Sequence, residues 1–211
     1  NEMQFTAIMG PSGSGKSTLL HCLAGLDRPS SGQIYLKDSD ISTLNDKQLT
    51  KIRRDSFGFV FQAFNLIPTL TAEENITLPA SIAGKKPDMD WVKKVVETVD
   101  ISDRLTHRPN ELSGGQQQRV AAARAMATKP EVIFADEPSG NLDSKSSKEL
   151  LVFMKSVVEE LNQTIIMVTH DPYAASFANR VVMLKDGKIA SDLEEPTQEE
   201  IISEVTALSD I

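Results

Sequence analysis

A glycine- and serine-rich run near the start of the chain has the composition of a phosphate-binding loop. Residues 10–17 read Gly-Pro-Ser-Gly-Ser-Gly-Lys-Ser, between an apolar stretch and a sequence with helical periodicity. Glycines let backbone N–H groups point at phosphate oxygens, and the following helix adds its partial positive N-terminus. Lys16 is placed to reach the β- and γ-phosphates of a nucleotide, and the Ser17 hydroxyl to ligate Mg²⁺. Unless the run is only a Gly/Ser turn that begins a helix, its nucleotide-contacting residues are Gly10, Ser12, Gly13, Ser14, Gly15, Lys16, Ser17 and Thr18.

Two adjacent carboxylates follow a strongly apolar segment. Residues 132–135 read Val-Ile-Phe-Ala, as a central parallel strand should, and Asp136 and Glu137 come next. Such a strand delivers its last residues to the carboxyl edge of the sheet, where ligand sites of α/β proteins lie. Asp136 is predicted to join a Mg²⁺ shell and Glu137 to act as general base toward an attacking water. Taken alone, the two residues could equally be a solvated pair at a strand end.

A third run gives the sequence its family resemblance. Residues 112–119 read Leu-Ser-Gly-Gly-Gln-Gln-Gln-Arg. With the phosphate loop before this run and the acidic strand after it, the chain resembles the ATP-binding cassette (ABC) ATPases over essentially its whole length. A Ser/Gly helix cap explains the local pattern but not the coincidence of three runs. The resemblance implies an α/β P-loop NTPase fold, with a RecA-like core and an inserted helical subdomain, that binds ATP with Mg²⁺ and hydrolyses it.

The resemblance also assigns roles that residue type alone does not. Gln62 matches the Q-loop, which senses Mg²⁺ and the attacking water, so it is expected to be both catalytic and metal-contacting. His170 matches the catalytic switch histidine that contacts the γ-phosphate, and Asp143 closes a Ser-Gly-Asn-Leu-Asp run that matches the D-loop at the dimer interface. By type alone, the same residues are a surface glutamine, a structural histidine at a strand end and a turn before a helix.

A helix that begins at Ser113 would be an anion site through its free N–H groups and its dipole. The resemblance implies that this helix contacts the γ-phosphate bound to a second copy of the chain. Two nucleotides are then buried between two chains packed head to tail, as a homodimer. The residues expected on this side of the nucleotide are Ser113, Gly114, Gly115 and Gln116, with Asp143 nearby.

Residues 59–75 refine the resemblance toward the ATPases of the macrolide-exporter, lipoprotein-release, peptide-resistance and haem-exporter group. This implies an integral-membrane permease in two copies, a peripheral location at the cytoplasmic face of the plasma membrane, and export of an amphiphilic or toxic compound such as haem, an antibiotic or a peptide. The alternative is a non-transport regulator of a cell-wall enzyme, as in the related cell-division cassette. A groove for the permease's coupling helix is expected at Phe64, Leu66, Ile67 and Leu70, which could instead simply pack the helical insertion.

The elements that must position these residues alternate between strand and helix, which favours a largely parallel sheet. Strands are predicted at residues 5–9, 33–37, 57–61, 132–135, 164–169, 181–185 and 188–190, and helices at residues 16–26, 46–54, 113–127 and 145–161. Residues 71–100 are predicted to be helical throughout, and residues 194–210 to form one helix. Thr71 with Glu74, and Thr197 with Glu200, fit capping boxes.

We expect one nucleotide-binding domain over residues 1–211, with a catalytic core at about 1–62 and 130–211 and a helical subdomain at about 63–129. In the family an aromatic residue on an antiparallel strand before the one at Phe5 stacks on adenine. Phe5 itself lies on the strand that enters the phosphate loop. The N-terminal antiparallel strands are therefore expected to be missing from this sequence, and no adenine contact is assigned.

Composition excludes several classes of protein. With 40% hydrophobic and 25% charged residues, the 211-residue chain is neither disordered nor unusual for a globular fold. The net charge of −8 argues against a nucleic-acid partner. No sustained heptad pattern separates Lys16 from Ser113, as it does in the DNA-repair relatives. One cysteine, Cys22, excludes an internal disulfide, and no apolar run of transmembrane length or signal-peptide pattern is present.

Overall fold

A six-stranded sheet forms the centre of the fold. The computed structural model describes residues 2–209. The strands are β1 (Phe5–Met9), β2 (Tyr35–Leu36), β3 (Ser39–Asp40), β4 (Phe57–Phe61), β5 (Val132–Asp136), β6 (Ile165–Val168), β7 (Arg180–Lys185) and β8 (Lys188–Glu194). The main sheet has the order β4-β5-β6-β1-β7-β8, and β2 and β3 form a separate hairpin. Only β8 is antiparallel to its neighbour in the main sheet. The predicted α/β fold with a largely parallel sheet is confirmed.

Helices connect the parallel strands and cover both faces of the sheet. They are α1 (Lys16–Leu23), α2 (Asp46–Ser56), α3 (Ala72–Ile82), α4 (Met89–Thr98), α5 (Gly114–Met126), α6 (Ser144–Leu161), α7 (Pro172–Ala175) and α8 (Gln198–Ser209), with short 3₁₀ turns at Ser102–Arg104 and Pro109–Glu111. Among residues 2–209 no helix has both the length and the apolar character that crossing a membrane requires.

The core is divided by the sheet because successive strand residues point to opposite faces. Phe5, Ala7 and Met9 of β1 pack into the larger half, whereas Ile8 packs into the smaller half with Leu20 of α1. The larger half continues without a break into the buried faces of α3, α4 and α5. The three helices inserted between β4 and β5 are therefore held to the sheet by shared hydrophobic burial.

Several predicted elements are wrong in their extent. The helix predicted at 16–26 ends at Leu23. The strand predicted at 33–37 is reduced to β2, because the chain turns at Lys37, which has φ 52°, and pairs back through β3. The helical pattern predicted throughout 71–100 is interrupted between α3 and α4, where Gly84 has φ 65° and the Asp88 side chain caps α4.

The helix predicted at 194–210 begins at Gln198 instead. Its first residue, Glu194, belongs to β8, which extends beyond the strand predicted at 188–190 and pairs with β7 as far as Glu194 opposite Arg180. Asp210, at its predicted end, lies outside the described residues. Both predicted capping boxes hold in their hydrogen bonds: Thr71 with Glu74 and Thr197 with Glu200.

The division of α6 into a buried and an exposed face gives a stability prediction. Leu151 is fully buried and Val152 beside it is 50% exposed. We expect Leu151→Ala to lower the free energy of unfolding by about 2–5 kcal/mol, because it leaves a cavity in the larger half of the core. Val152→Ala, the matched control, should change it by no more than about 0.5 kcal/mol. Urea unfolding measures both, and equal effects would contradict this packing.

Candidate functional site

The predicted site residues that follow β4, β5, β6 and β1 lie at one edge of the sheet because these four neighbouring strands are parallel. Gln62 follows β4, Glu137 follows Asp136 at the end of β5, His170 lies two residues beyond β6, and Gly10 follows β1. In register, Phe61 lies opposite Asp136, Asp136 opposite Val168, and Val168 opposite Ile8. The phosphate loop and Asp136 are thus two strand spacings apart, roughly 10 Å.

The phosphate loop depends on glycine conformation and on close backbone contact. Gly10, Gly13 and Gly15 have φ of 145°, 80° and 95°, in the range that L side chains rarely adopt. A Cβ on Gly10 would lie 2.0 Å from the Leu184 carbonyl oxygen, whereas at Gly13 it would meet no atom within 4 Å. Gly10 is therefore required by packing as well as by its φ angle.

The loop ends in a helix whose N-terminus has no protein cap. Gly15 is the N-cap residue of α1, no side chain caps the helix, and its first turn contains no acidic residue. The Lys16 ammonium donates to the Gly10 and Pro11 carbonyl oxygens, at 2.9 Å each, which leaves a third N–H for another acceptor. Ser17 and Thr18 are exposed beside it. This arrangement suits an anion.

The turn between β7 and β8 supports the loop from behind, a contact that the sequence did not predict. Gly187 N–H donates to the Ser14 carbonyl oxygen at 3.2 Å. The Ser14 side chain is buried, and its hydroxyl has no partner among the described residues. Asp186 and Gly187 lie between the strands predicted at 181–185 and 188–190, which by itself indicates only a turn. Its second role could have been found only from the pairing of β7 with β1.

Glu137 and His170 form a hydrogen-bonded pair in a cavity of about 310 Å³. His170 Nδ1 lies 2.8 Å from Glu137 Oε1. If the carboxylate is the acceptor, Nδ1 carries the hydrogen, and within the described residues no hydrogen bond reaches Oε2. Glu137 has φ 49°, which is unusual for a residue with a side chain. Its backbone is fixed there by N–H donation to the Val168 carbonyl.

Gln62 is bonded to the segment after Glu137. Its Nε2 donates to Asn141 Oδ1 at 3.1 Å, and Asn141 Nδ2 donates back to the Gln62 carbonyl at 3.1 Å. A Cβ on Gly140 would come within 2.9 Å of the Gln62 amide nitrogen. The structure thus brings Gln62 to the Ser-Gly-Asn-Leu-Asp run, a contact that the sequence did not predict.

The helix predicted at 113–127 is present, and Ser113 is its N-cap. Ser113 Oγ accepts from Gln116 N–H at 3.3 Å, and Gln116 Oε1 accepts from Ser113 N–H at 2.9 Å. A Cβ on Gly115 would come within 2.9 Å of Ser146 Oγ in α6, so glycine is needed for this close approach. Within the described part of the chain, residues 2–209, no hydrogen bond joins residues 113–116 to the phosphate loop of the same chain.

Asp143 acts within the chain as the N-cap of α6. Its Oδ1 accepts from Ser146 N–H and Lys145 N–H at 3.0 Å each, and its Oδ2 accepts from Ser146 Oγ at 2.7 Å. The pKa of this carboxyl is lowered, chiefly by the hydrogen bonds that it accepts from the Ser146 backbone and hydroxyl. Its predicted contact with nucleotide stays a prediction. The structure shows its carboxylate accepting three hydrogen bonds within the chain.

The predicted Mg²⁺ contacts, Ser17, Gln62 and Asp136, offer one hydroxyl, one amide and one carboxylate oxygen. Among residues 2–209 no group of three or more His, Cys, Asp or Glu could hold an ion by itself. Mg²⁺ prefers oxygen ligands, and in phosphoryl-transfer sites it is held by one or two protein groups together with substrate phosphates and water. This donor set fits an ion that arrives with a nucleotide.

Comparison with known proteins gives a consistent family match. A sequence model of the family described as ABC transporter matches residues 1–140. The lipoprotein-releasing system ATP-binding protein LolD 1 of Chlorobium chlorochromatii is 42% identical over 208 residues, which are 97% of this chain and 85% of that protein. The macrolide export ATP-binding/permease protein MacB of Marinobacter nauticus is 47% identical over 191 residues, but these cover 90% of this chain and only 30% of that protein.

Solved structures match equally well. A dimeric structure of MJ0796, described as a bacterial ABC transporter cassette, superposes with a TM-score of 0.80 at 44% identity, over 93% of this chain and 87% of that one. A dimeric post-hydrolysis state of the same cassette, bound to ADP and Pi, gives a TM-score of 0.80 at 43% identity, with the same coverage. The protein of that name comes from Methanocaldococcus jannaschii.

The geometry of the phosphate loop predicts a difference between two glycines. Gly10→Ala combines a positive φ with the 2.0 Å contact to Leu184, whereas Gly84→Ala has a positive φ, 65°, but no atom within 4 Å. In both variants, backbone strain should lower the free energy of unfolding by about 1–2 kcal/mol. In Gly10→Ala the contact with Leu184 should lower it further. Only Gly10→Ala should weaken ATP binding, by at least about tenfold. Urea unfolding and calorimetric ATP titration measure these effects, and an unchanged ATP affinity in Gly10→Ala would disprove the assignment of the loop.

Proposed function

The chain belongs to the ABC transporter family of ATP-binding proteins, and from this premise we propose that it hydrolyses ATP at its sheet edge to energise export by a membrane permease. The ATPase activity follows from the family. The observation that carries the assignment to particular residues is the convergence of the uncapped α1 N-terminus, Asp136 and the Glu137–His170 pair on adjacent parallel strands.

In the proposed reaction, the loop N–H groups and Lys16 bind the β- and γ-phosphates. Asp136, Ser17 and Gln62 would hold Mg²⁺, which when bound offsets negative charge on the phosphate oxygens. Glu137 Oε2 accepts a proton from a water whose oxygen attacks the γ-phosphorus, and ADP leaves with the electrons of the broken P–O bond. His170 would orient Glu137 through its Nδ1, which lies 2.8 Å from Glu137 Oε1. Its other ring nitrogen would contact the γ-phosphate.

A homodimer completes each site in this proposal. Ser113, Gly114, Gly115 and Gln116 of one copy face the γ-phosphate bound to the other, with Asp143 at the same interface. Ser113 is exposed at the start of α5, as such a contact requires. The dimeric form of the MJ0796 cassette supports this arrangement. Charge-assisted hydrogen bonds to the γ-phosphate would favour the closed dimer, and their loss on hydrolysis would release it.

An apolar groove of about 410 Å³ is the proposed contact with the permease. It lies between α2 and β4 of the proposed core and α3 and α5 of the proposed helical subdomain, residues 63–129. Its apolar lining is Phe57, Phe59, Phe61, Leu78, Pro79 and Ile82. None of the four residues expected to line such a groove, Phe64, Leu66, Ile67 and Leu70, lines this one. Their neighbour Asn65 does, and Leu66 packs against the core instead.

Charge at the groove narrows the chemistry of the partner segment. Arg124 lines the groove, and burial lowers the pKa of its guanidinium. It donates to two backbone carbonyls and, within residues 2–209, has no carboxylate partner. An apolar helix that carries an acidic residue would complement this surface. The two grooves of the homodimer, one on each copy, would hold it on two permease copies at the cytoplasmic face of the plasma membrane.

The transported compound is proposed to be amphiphilic. One similar protein is named for macrolide export and another for lipoprotein release, and both names specify cargo with large apolar parts. Haem and hydrophobic peptides are amphiphilic too and remain candidates. Since the cargo would contact the permease, identifying the permease also distinguishes export from regulation of a cell-wall enzyme.

The proposed base is tested by Glu137→Gln, which keeps the shape of the side chain but cannot accept a proton from water. We expect turnover to fall by about 10²–10⁴-fold with ATP affinity retained, and the ATP-bound dimer to accumulate. Phosphate release and size-exclusion chromatography with MgATP measure the two effects. Glu160→Gln on the exposed face of α6 is the control and should hydrolyse ATP normally. Near-normal turnover in Glu137→Gln would remove it from this role.

The groove is tested with a pair of exposed isoleucines. Ile82 is 72% exposed in the groove wall, and Ile189 is 66% exposed on β8 outside it. Ile82→Glu should weaken sedimentation with native membranes by about tenfold and leave ATPase activity unchanged, because it places a charge in an apolar interface. Ile189→Glu should bind like the parent chain. A photo-crosslinking residue at position 82 identifies the permease by mass spectrometry, and equal binding of the two variants would exclude the groove.

A further inference from the structure

Gln118 is a polar residue at a position where the helix is otherwise apolar. It is fully buried on α5, together with Ala121, Ala122 and Ala125, which lie on the same face at helical spacing. Gln118 Nε2 donates to the Pro138 carbonyl at 2.6 Å and to the Phe61 carbonyl at 3.4 Å. Its Oε1 is buried without a partner among the described residues.

The two acceptors of this amide lie next to the proposed catalytic residues. Pro138 directly follows Glu137, and Phe61 directly precedes Gln62. Gln118 therefore joins the ends of β4 and β5 to α5, the helix whose N-terminus is Ser113. Burial of an amide whose oxygen has no partner within residues 2–209 costs free energy, and the two hydrogen bonds to the Pro138 and Phe61 carbonyls offset that cost.

A second side chain of α5, that of Arg124, bonds the backbone that follows Gln62. The Arg124 guanidinium donates to the Phe64 carbonyl at 3.0 Å and to the Asn65 carbonyl at 2.5 Å. The backbone is thus bonded to α5 both before and after Gln62. The Gln62 side chain in turn reaches Asn141, beyond Pro138. The position of α5 and the position of this part of the site are therefore mechanically linked.

We propose that Gln118 is a positioning residue for ATP hydrolysis, which holds the backbone at Gln62 and Glu137 in fixed register with α5. The proposal rests on the proposed roles of those two residues. Gln118 does not touch substrate and acts only through the Phe61 and Pro138 carbonyls. When the N-terminus of α5 contacts a nucleotide on the partner copy, the same helix then fixes the water-activating residues of its own copy.

The test is the steady-state ATPase activity of Gln118→Met, which keeps the length of the side chain and removes both hydrogen bonds. We expect kcat per ATP-binding site to fall about 10- to 100-fold, as for a misplaced reacting group, and KM for ATP to stay within about twofold. Gln117→Met is the matched control. Gln117 is the next residue on α5, and its amide donates to the Leu112 carbonyl of its own helix start. The kcat of Gln117→Met should stay within about twofold of that of the parent chain.

Gln118→Asn provides a second variant in case the apolar substitution prevents folding. It keeps the amide but is one methylene too short to reach both carbonyls, so the same loss of kcat is expected. In the Glu137→Gln background, Gln118→Met should still form the ATP-dependent dimer, because it leaves the α5 N-terminus intact. Loss of that dimer, a kcat within about twofold of the parent chain in either variant, or parallel loss of kcat and ATP affinity would overturn the proposal.

Failure of the proposed function has a different signature. If the parent chain fails to hydrolyse ATP, or if Glu137→Gln remains active, the roles assigned to the site are wrong whatever Gln118 does. If the parent chain is active, Glu137→Gln is inactive and Gln118→Met is normal, only the positioning role of Gln118 is excluded.

Discussion

The parallel alignment of β4, β5, β6 and β1 is the constraint on which the proposed site depends. Parallel strands place their carboxyl ends at one edge, so Gln62, Glu137, His170 and Gly10 become neighbours although they are far apart in sequence. Helical crossovers connect the parallel strands, and their apolar side chains cover both faces of the sheet. A change that shifted the register of β5 would therefore move its carboxylates away from the phosphate loop.

The backbone at this edge adopts conformations that need support from elsewhere. The phosphate loop has three glycines with positive φ, and Glu137 is a non-glycine residue with φ 49°. Such conformations persist only where surrounding contacts fix them. The β7–β8 turn supplies one such contact through Gly187, and β6 supplies another through the Val168 carbonyl. The hairpin of β7 and β8, which contributes no predicted ligand, is thus needed to shape the site.

The helix α5 joins the two halves of the proposed mechanism. Its N-terminus is exposed with Ser113 as cap, while its buried face bonds the chain on both sides of Gln62 and after Glu137. The apolar groove opens beside the same helix, and Arg124 contributes to both the groove and the Gln62 segment. A partner in the groove and a nucleotide at the α5 N-terminus would therefore act on the same rigid element.

The sequence by itself determined the fold class, most element bounds and the residue types of the site, because these are local properties. Glycine spacing, the apolar run before Asp136 and the Ser113 capping pattern each act within a few residues. It did not determine where α3 ends, how far β8 extends or what lines the groove, since these depend on pairing with distant segments. The contacts of Gln118 with Phe61 and Pro138, of Gly187 with Ser14 and of Gln62 with Asn141 were likewise decided only by the tertiary structure. Each joins residues that only the sheet order brings together, so no local pattern in the sequence could indicate them.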